Sequence, residues 1–192
     1  GEMIHRGIYV GNTRYIGIDV QRSSLNTAHK ACGGKLFLIE DHITGKIPYI
    51  KSNSVDVVIA MEIIEHMTRQ QAKGLLKDIR RITRPKARIV LSTPNASTAQ
   101  QDEKHWDFHL DEYTLEEMQQ MIVDAGFDPV RILGWSDQNS KFNPIEKMMQ
   151  DNHRQTFRDL SMYIGKAALR QLFVSLYPNL ATAIIFDCIK RE

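Results

Sequence analysis

An α/β sandwich built on a mostly parallel sheet is what this sequence predicts, and three observations predict it. Residues 55–66, Val-Asp-Val-Val-Ile-Ala-Met-Glu-Ile-Ile-Glu-His, pass from an apolar run into a stretch with two carboxylates and an imidazole, with no Gly or Pro between. Val55, Val57, Val58, Ile59 and Ala60 read as a strand buried on both faces, as central strands of parallel sheets are. Short β-rich runs alternate with helical patterns along most of the chain, which implies parallel pairing through right-handed crossovers. Several of those runs end in an acid, and open α/β sheets bind their ligands at the carboxyl ends of their strands.

The elements follow in order. Arg14–Val20 is a β-rich run that ends in an acid, and Ser23–Ala31 fits a helix closed by Gly33 and Gly34. Lys35–Glu40 is a second strand, followed at once by Asp41 and His42, and the Val55 run is a third. Thr68–Thr83 fits a longer helix, with Leu75, Leu76, Ile79 and Ile82 at helical spacing and Pro85 just past its end. Ala87–Leu91 is a fourth strand, stopped by Ser92-Thr93-Pro94-Asn95. Thr114 with Glu117 three residues on makes a capping box; Leu115, Met118, Ile122 and Ala125 line one face before Gly126 ends that helix. Val130–Leu133 and Ala181–Ile189 are two more strands. Between them, Pro144 to about Leu176 reads as a helical insert with mixed apolar spacing and many charges (Lys147, Arg154, Arg158, Lys166, Arg170), as suits a lid or acceptor wall.

Bulk properties bound the reading. At 192 residues the chain is most simply one domain, 1–192, long enough to bury a full core. Its 42% hydrophobic and 25% charged content is ordinary for a soluble globular protein. A net charge of +2 gives no reason to expect a nucleic-acid or anionic-membrane partner. Cys32 and Cys188 are too few and too far apart for a metal cluster or disulfide framework, so thiols in a reducing, cytoplasmic compartment are expected. No apolar run approaches the ~20 residues of a membrane span, and no signal-peptide pattern appears. The chain opens on Gly1 rather than Met, so native residues upstream are expected.

Four fragments together resemble the class I S-adenosylmethionine-dependent methyltransferases: Tyr15-Ile-Gly-Ile-Asp19, Val55 through His66, Leu91-Ser-Thr-Pro-Asn95, and Glu112-Tyr-Thr-Leu-Glu-Glu-Met118 with Ala125-Gly-Phe127. Each is weak alone; four in order on the right elements are strong. The resemblance implies a Rossmann-like three-layer sandwich with an antiparallel last strand, and S-adenosylmethionine as cofactor. It makes Asp19 the ribose carboxylate and Asp41 the acid for the adenine amino group, although Glu40 could exchange roles with Asp41. His42 stands alongside with a backbone N–H or ring, and Ala60, Met61 and Glu62 would pass the methionine moiety. The family's first strand and its glycine-rich turn should precede Met3–Val10, where only Gly1-Glu2 remains. Gly1 is either that turn's last glycine or a cloning remnant.

Methyl transfer from a sulfonium is an in-line displacement, so the protein must align donor and acceptor and remove the acceptor's proton. His66, just beyond a strand end, and His109, before the Glu112 helix, are the expected general bases. His105 and Asp107 lie in the same substrate-facing loop. Glu62-x-x-Glu65-His66 with His109 could also complete a divalent-metal shell, with Mg or Mn as the ion. Small-RNA 3′-end 2′-O-methyltransferases carry that arrangement, and ubiquinone-pathway O-methyltransferases a similar run; in many class I methyltransferases the same residues orient the loop without metal. Trp106 and Trp135 could line an acceptor pocket or fill a core. Three functions stay open: O-methylation of a small molecule or glycan, favoured by the insert; RNA 2′-O-methylation, disfavoured by charge although Arg154, Lys166 and Arg170 could form a patch; and a non-catalytic methyltransferase-like domain, motivated by the missing first motif.

Overall fold

The computed structural model describes residues 14–31, 36–99, 108–135 and 151–192. Gly1, Cys32, His105, Trp106 and Asp107 lie outside them. The chain divides into two compact units, Gly1–Thr44 and Gly45–Glu192.

The first unit holds β1 (Tyr15–Asp19), α1 (Arg22–Ala31) and β2 (Leu36–Glu40). Its strands pair in parallel, with Asp19 opposite Glu40, and the Asp41 N–H continues the ladder by donating to the Asp19 carbonyl at 3.2 Å. The helical crossover between parallel strands was legible from the alternation alone. Leu25 of α1 is buried.

The second unit holds β3 (Val55–Met61), a 3₁₀ turn (Ile64–His66), α2 (Arg69–Ile82), β4 (Thr83–Pro94), α3 (Ala96–Ala99), α4 (Leu115–Asp124), β5 (Phe127–Trp135), α5 (Asp151–Ile164), α6 (Lys166–Leu176), a second 3₁₀ turn (Pro178–Leu180) and β6 (Ala183–Lys190). Its sheet runs β3-β4-β6-β5. β3 and β4 are parallel, and the last strand, β6, slots between β4 and β5 antiparallel to both, as expected. β4 is longer than its apolar centre Ala87–Leu91 suggested. Its first residues pair irregularly with β3, where Lys86 takes a positive φ of 62° and the register slips between Val55 and Val57.

Val57 and Ile59 correct the expectation of a strand buried on both faces: they are 54% and 42% exposed. β3 is the edge strand of its sheet and pairs only with β4 among the described residues, so its side chains have sheet neighbours on one flank.

The core is built from the predicted stripes. Leu75, Leu76, Ile79 and Ile82 of α2 and Met118 and Ile122 of α4 are buried with Ile89 and Leu91 of β4 and Ile184 and Phe186 of β6. α2 starts at a capping box of Thr68 and Gln71, and α4 at the predicted box of Thr114 and Glu117. Gly126, with φ of 84°, turns the chain from α4 into β5.

The insert departs from a pure lid. Leu169 and Val174 of α6 are buried together with Ala181, and Gln171 Nε2 donates to the Gly134 carbonyl of β5 at 2.8 Å. A Cβ built on Gly134 would lie 2.2 Å from the Val174 carbonyl oxygen, so helix and strand are in backbone contact. α6 is a core layer because its Leu169 and Val174 are buried with Ala181 and its Phe173 packs against them. α5 instead leaves Leu160, Met162, Tyr163 and Ile164 exposed. No helix among the described residues is long and apolar enough to cross a membrane.

Candidate functional site

In the first unit, β1 and β2 bring Asp19 and Asp41 to the same end of adjacent parallel strands. Asp19 Oδ1 accepts from the Gln21 N–H at 2.7 Å, an Asx turn that leads into α1. The carboxylate is thereby fixed in direction through one oxygen. Asp41 is half-buried and His42 exposed. Paired carboxylate positions at one sheet end suit a ribose diol and an adenine amino group, so the residues fit the expected cofactor.

In the second unit, β3 delivers Ala60 and Met61, both half-buried, and then Glu62. Glu62 holds a left-handed φ of 51°, a conformation that costs a non-glycine residue energy unless its surroundings impose it. Ser92 imposes it. The Glu62 N–H donates to Ser92 Oγ at 3.0 Å, and that hydroxyl donates to Glu62 Oε1 at 2.5 Å. The chain then folds into the 3₁₀ turn that carries Glu65 and His66.

The loop bearing His109 is fastened onto that turn. The Leu110 N–H donates to the Glu65 carbonyl at 2.8 Å, and His66 Nδ1 lies 3.0 Å from the Phe108 carbonyl oxygen. The two rings consequently meet edge to face with centroids 5.2 Å apart. His109 Nδ1 lies 2.8 Å from Glu112 Oε1, and His66 Nε2 lies 3.9 Å from Glu65 Oε1.

Glu65 is the electrostatic oddity. It is 1% exposed, and its Oε2 has no hydrogen-bond partner among the described residues. Burial foremost, with Glu62 and Glu112 adding repulsion against a backbone hydrogen bond that opposes them, pushes its carboxyl up to about 8. Tyr113, next to Glu112, is buried beneath the Arg69 guanidinium, and its hydroxyl too lacks a partner among the described residues.

The structure thus brings His66 and His109 together. Glu65, His66 and His109 each offer a donor atom within 4.8 Å of the others, a set that could hold a divalent ion. Glu62 is not in that set; its Oε1 accepts from Ser92 Oγ instead. Sequence reasoning missed Ser92 and Glu112 as partners. Glu112 was findable: His109-x-x-Glu112 is an acid–imidazole spacing within a single turn. Ser92 was not, since its role depends on strand register. Trp135, at the end of β5, is 54% exposed, so it fills no core.

Comparison with known proteins points one way. Residues 4–91 match a family described as a methyltransferase domain. Two Mycobacterium tuberculosis proteins, each named a probable S-adenosylmethionine-dependent methyltransferase, are 32% identical over 83 residues, or 42% of this chain and 30% of theirs. The match therefore spans under a third of those relatives' length. Among solved structures, a complex between the Haloferax volcanii Trm112 methyltransferase activator and a methyltransferase superposes with TM-score 0.64 at 15% identity, over all of this chain and 76% of that one. A methyltransferase from Archaeoglobus fulgidus gives 0.59 at 15% identity, over 91% and 75%. The N-methyltransferase NodS of Bradyrhizobium japonicum, in complex with S-adenosyl-L-homocysteine, gives 0.58 at 9% identity, over 93% and 67%.

Proposed function

We propose that this chain, a member of the class I S-adenosylmethionine-dependent methyltransferase family, methylates a hydroxyl group of a small molecule or glycan. The observation that carries the reading is the pair of imidazoles 5.2 Å apart beyond the carboxyl end of β3. Asp19 takes the ribose hydroxyls and Asp41, with His42, the adenine; Ala60, Met61 and Glu62 take the methionine moiety. When bound, S-adenosylmethionine supplies an activated methyl group. The chain's own residues then hold the acceptor in line and remove its proton, through His66 and His109.

Cofactor titration, followed by single-turnover methyl transfer to a panel of sugars, phenols and short RNAs, tests this. His66→Ala or His109→Ala should slow the chemical step by roughly 10²–10⁴-fold with little change in cofactor affinity. No cofactor binding would leave a non-catalytic methyltransferase-like domain, and turnover on RNA alone would move the acceptor class. A Mg or Mn ion at Glu65, His66 and His109 would instead ionise the hydroxyl directly, a role that full activity in excess chelator eliminates.

A further inference from the structure

The two imidazoles of the acceptor face are anchored by chemically different partners. His66 Nδ1 meets the Phe108 carbonyl at 3.0 Å. A carbonyl only accepts, so that nitrogen carries the proton and the lone pair lies on Nε2. His109 Nδ1 meets Glu112 Oε1 at 2.8 Å. An ionised carboxylate likewise only accepts, so His109 is held in the same tautomer, but by a charge. The pair is shielded as well: the His109 and Glu112 side chains are 13% and 21% exposed, against 44% for His66.

Glu112 is itself held in place without help from His109. Just before it, the Leu110 and Asp111 N–H groups both donate to the Glu65 carbonyl. Just after it, Tyr113 bridges to Asn95 and Thr114 caps α4. An acid so placed can dictate the orientation of a ring that leans on it.

We infer that Glu112 is the positioning residue of the site, holding His109 through its Nδ1–H so that His109 Nε2 receives the acceptor's proton. The inference rests on the hydroxyl-methylation reading above. An oxygen lone pair of the acceptor forms the new O–CH₃ bond, and the C–S bond breaks with its electron pair passing to sulfur. The hydroxyl proton goes to His109 Nε2. The imidazolium so formed faces the Glu112 carboxylate, which stabilises it where it appears. His66 has no equivalent. Its Nδ1 is tied to a neutral carbonyl, and the Glu65 carboxylate lies 3.9 Å from its Nε2, beyond hydrogen-bond reach. The assignment therefore favours His109 as the base and leaves His66 to orient the acceptor.

Long-range ¹H–¹⁵N spectra of the imidazoles in the full chain, together with single-turnover rates, test this. Wild type should show His109 as the Nδ1–H tautomer. Glu112→Ala should mix the tautomers and slow the chemical step by roughly 10²–10⁴-fold with cofactor affinity unchanged. Glu112→Gln, whose amide oxygen still accepts from Nδ1–H, should keep the tautomer and recover part of the rate. An Nε2–H tautomer for His109 in wild type overturns the inference, as does a Glu112→Ala rate equal to wild type. Activity lost to chelator and restored by Mn²⁺ also overturns it, because Nε2 would then be a ligand. Should Glu112→Ala fail to fold, the wild-type spectrum and the Glu112→Gln rate decide alone. The spectra need neither cofactor nor acceptor, so a wild type that shows the expected tautomer yet no methyl transfer sinks the methylation reading and not the geometry.

Discussion

Glu65 shows how a single side chain ties stability to pH. Its folded carboxyl titrates at about 8, above its ordinary value of 4.5, because ionising it strands a charge in the interior. A group whose folded pKa is raised gives its full stability below the unfolded value and loses it as pH rises through the folded one. The second unit should therefore weaken between about pH 4.5 and pH 8. Urea midpoints of wild type and Glu65→Gln across that window check this: the variant should show a flatter dependence, and parallel curves would mean that the carboxyl ionises without cost. Asp19 is the other telling residue. If its carboxylate accepts from both ribose hydroxyls, as proposed, Asp19→Ala should cost on the order of 1–3 kcal/mol of cofactor affinity, measurable by calorimetry. An unchanged dissociation constant would move the ribose contact elsewhere. These residues could be picked from the sequence because carboxylates at strand ends are conspicuous among apolar runs. The burial of Glu65 could not, since it depends on the His109 loop, 44 residues away, folding over it.

Elements were the most legible scale, and the reason is periodicity. The α2 stripe and the Thr114 box needed only local spacing, and both are present. Thr114→Ala removes a side-chain acceptor from an otherwise orphaned helix N–H, so it should cost about 1 kcal/mol in urea denaturation. The insert was harder. Its apolar residues follow no single stripe along 144–176, which suggested a wet rim throughout. Yet Leu169, Val174 and the Gly134 contact make α6 part of the core. Gly134→Ala tests that packing, since the new methyl would collide with the Val174 backbone carbonyl rather than with a side chain that could rotate away. A loss of about 1–3 kcal/mol is expected, as for overpacked cores. Unchanged stability would show that α6 moves off β5 freely, and would return it to the rim.

At the scale of the molecule, the division at Thr44–Gly45 sets the last expectation. Among the described residues, the first unit carries two paired strands and one helix, and the second a four-stranded sheet with most of the buried apolar residues. Fold class was readable because alternation and strand-end acids are properties of the whole pattern. The division was not, because it depends on which strands pair, and apolar runs of similar length do not state their neighbours. Two-stranded sheets are marginal without further support, whereas larger sheets with a packed face hold their own. Local opening should then be unequal: amides of β1 and β2 should exchange with solvent faster than those of β4 and β6 under native conditions. Adding S-adenosylhomocysteine should slow exchange at the Asp19 and Asp41 ends of β1 and β2, because a ligand that binds only the folded form stabilises it in proportion to its saturation. Hydrogen exchange followed by mass spectrometry reads both effects in one experiment. Uniform protection across the two sheets would dissolve the distinction between the units. Ligand protection confined to β3 and β4 would leave Asp19 and Asp41 as turn acids only.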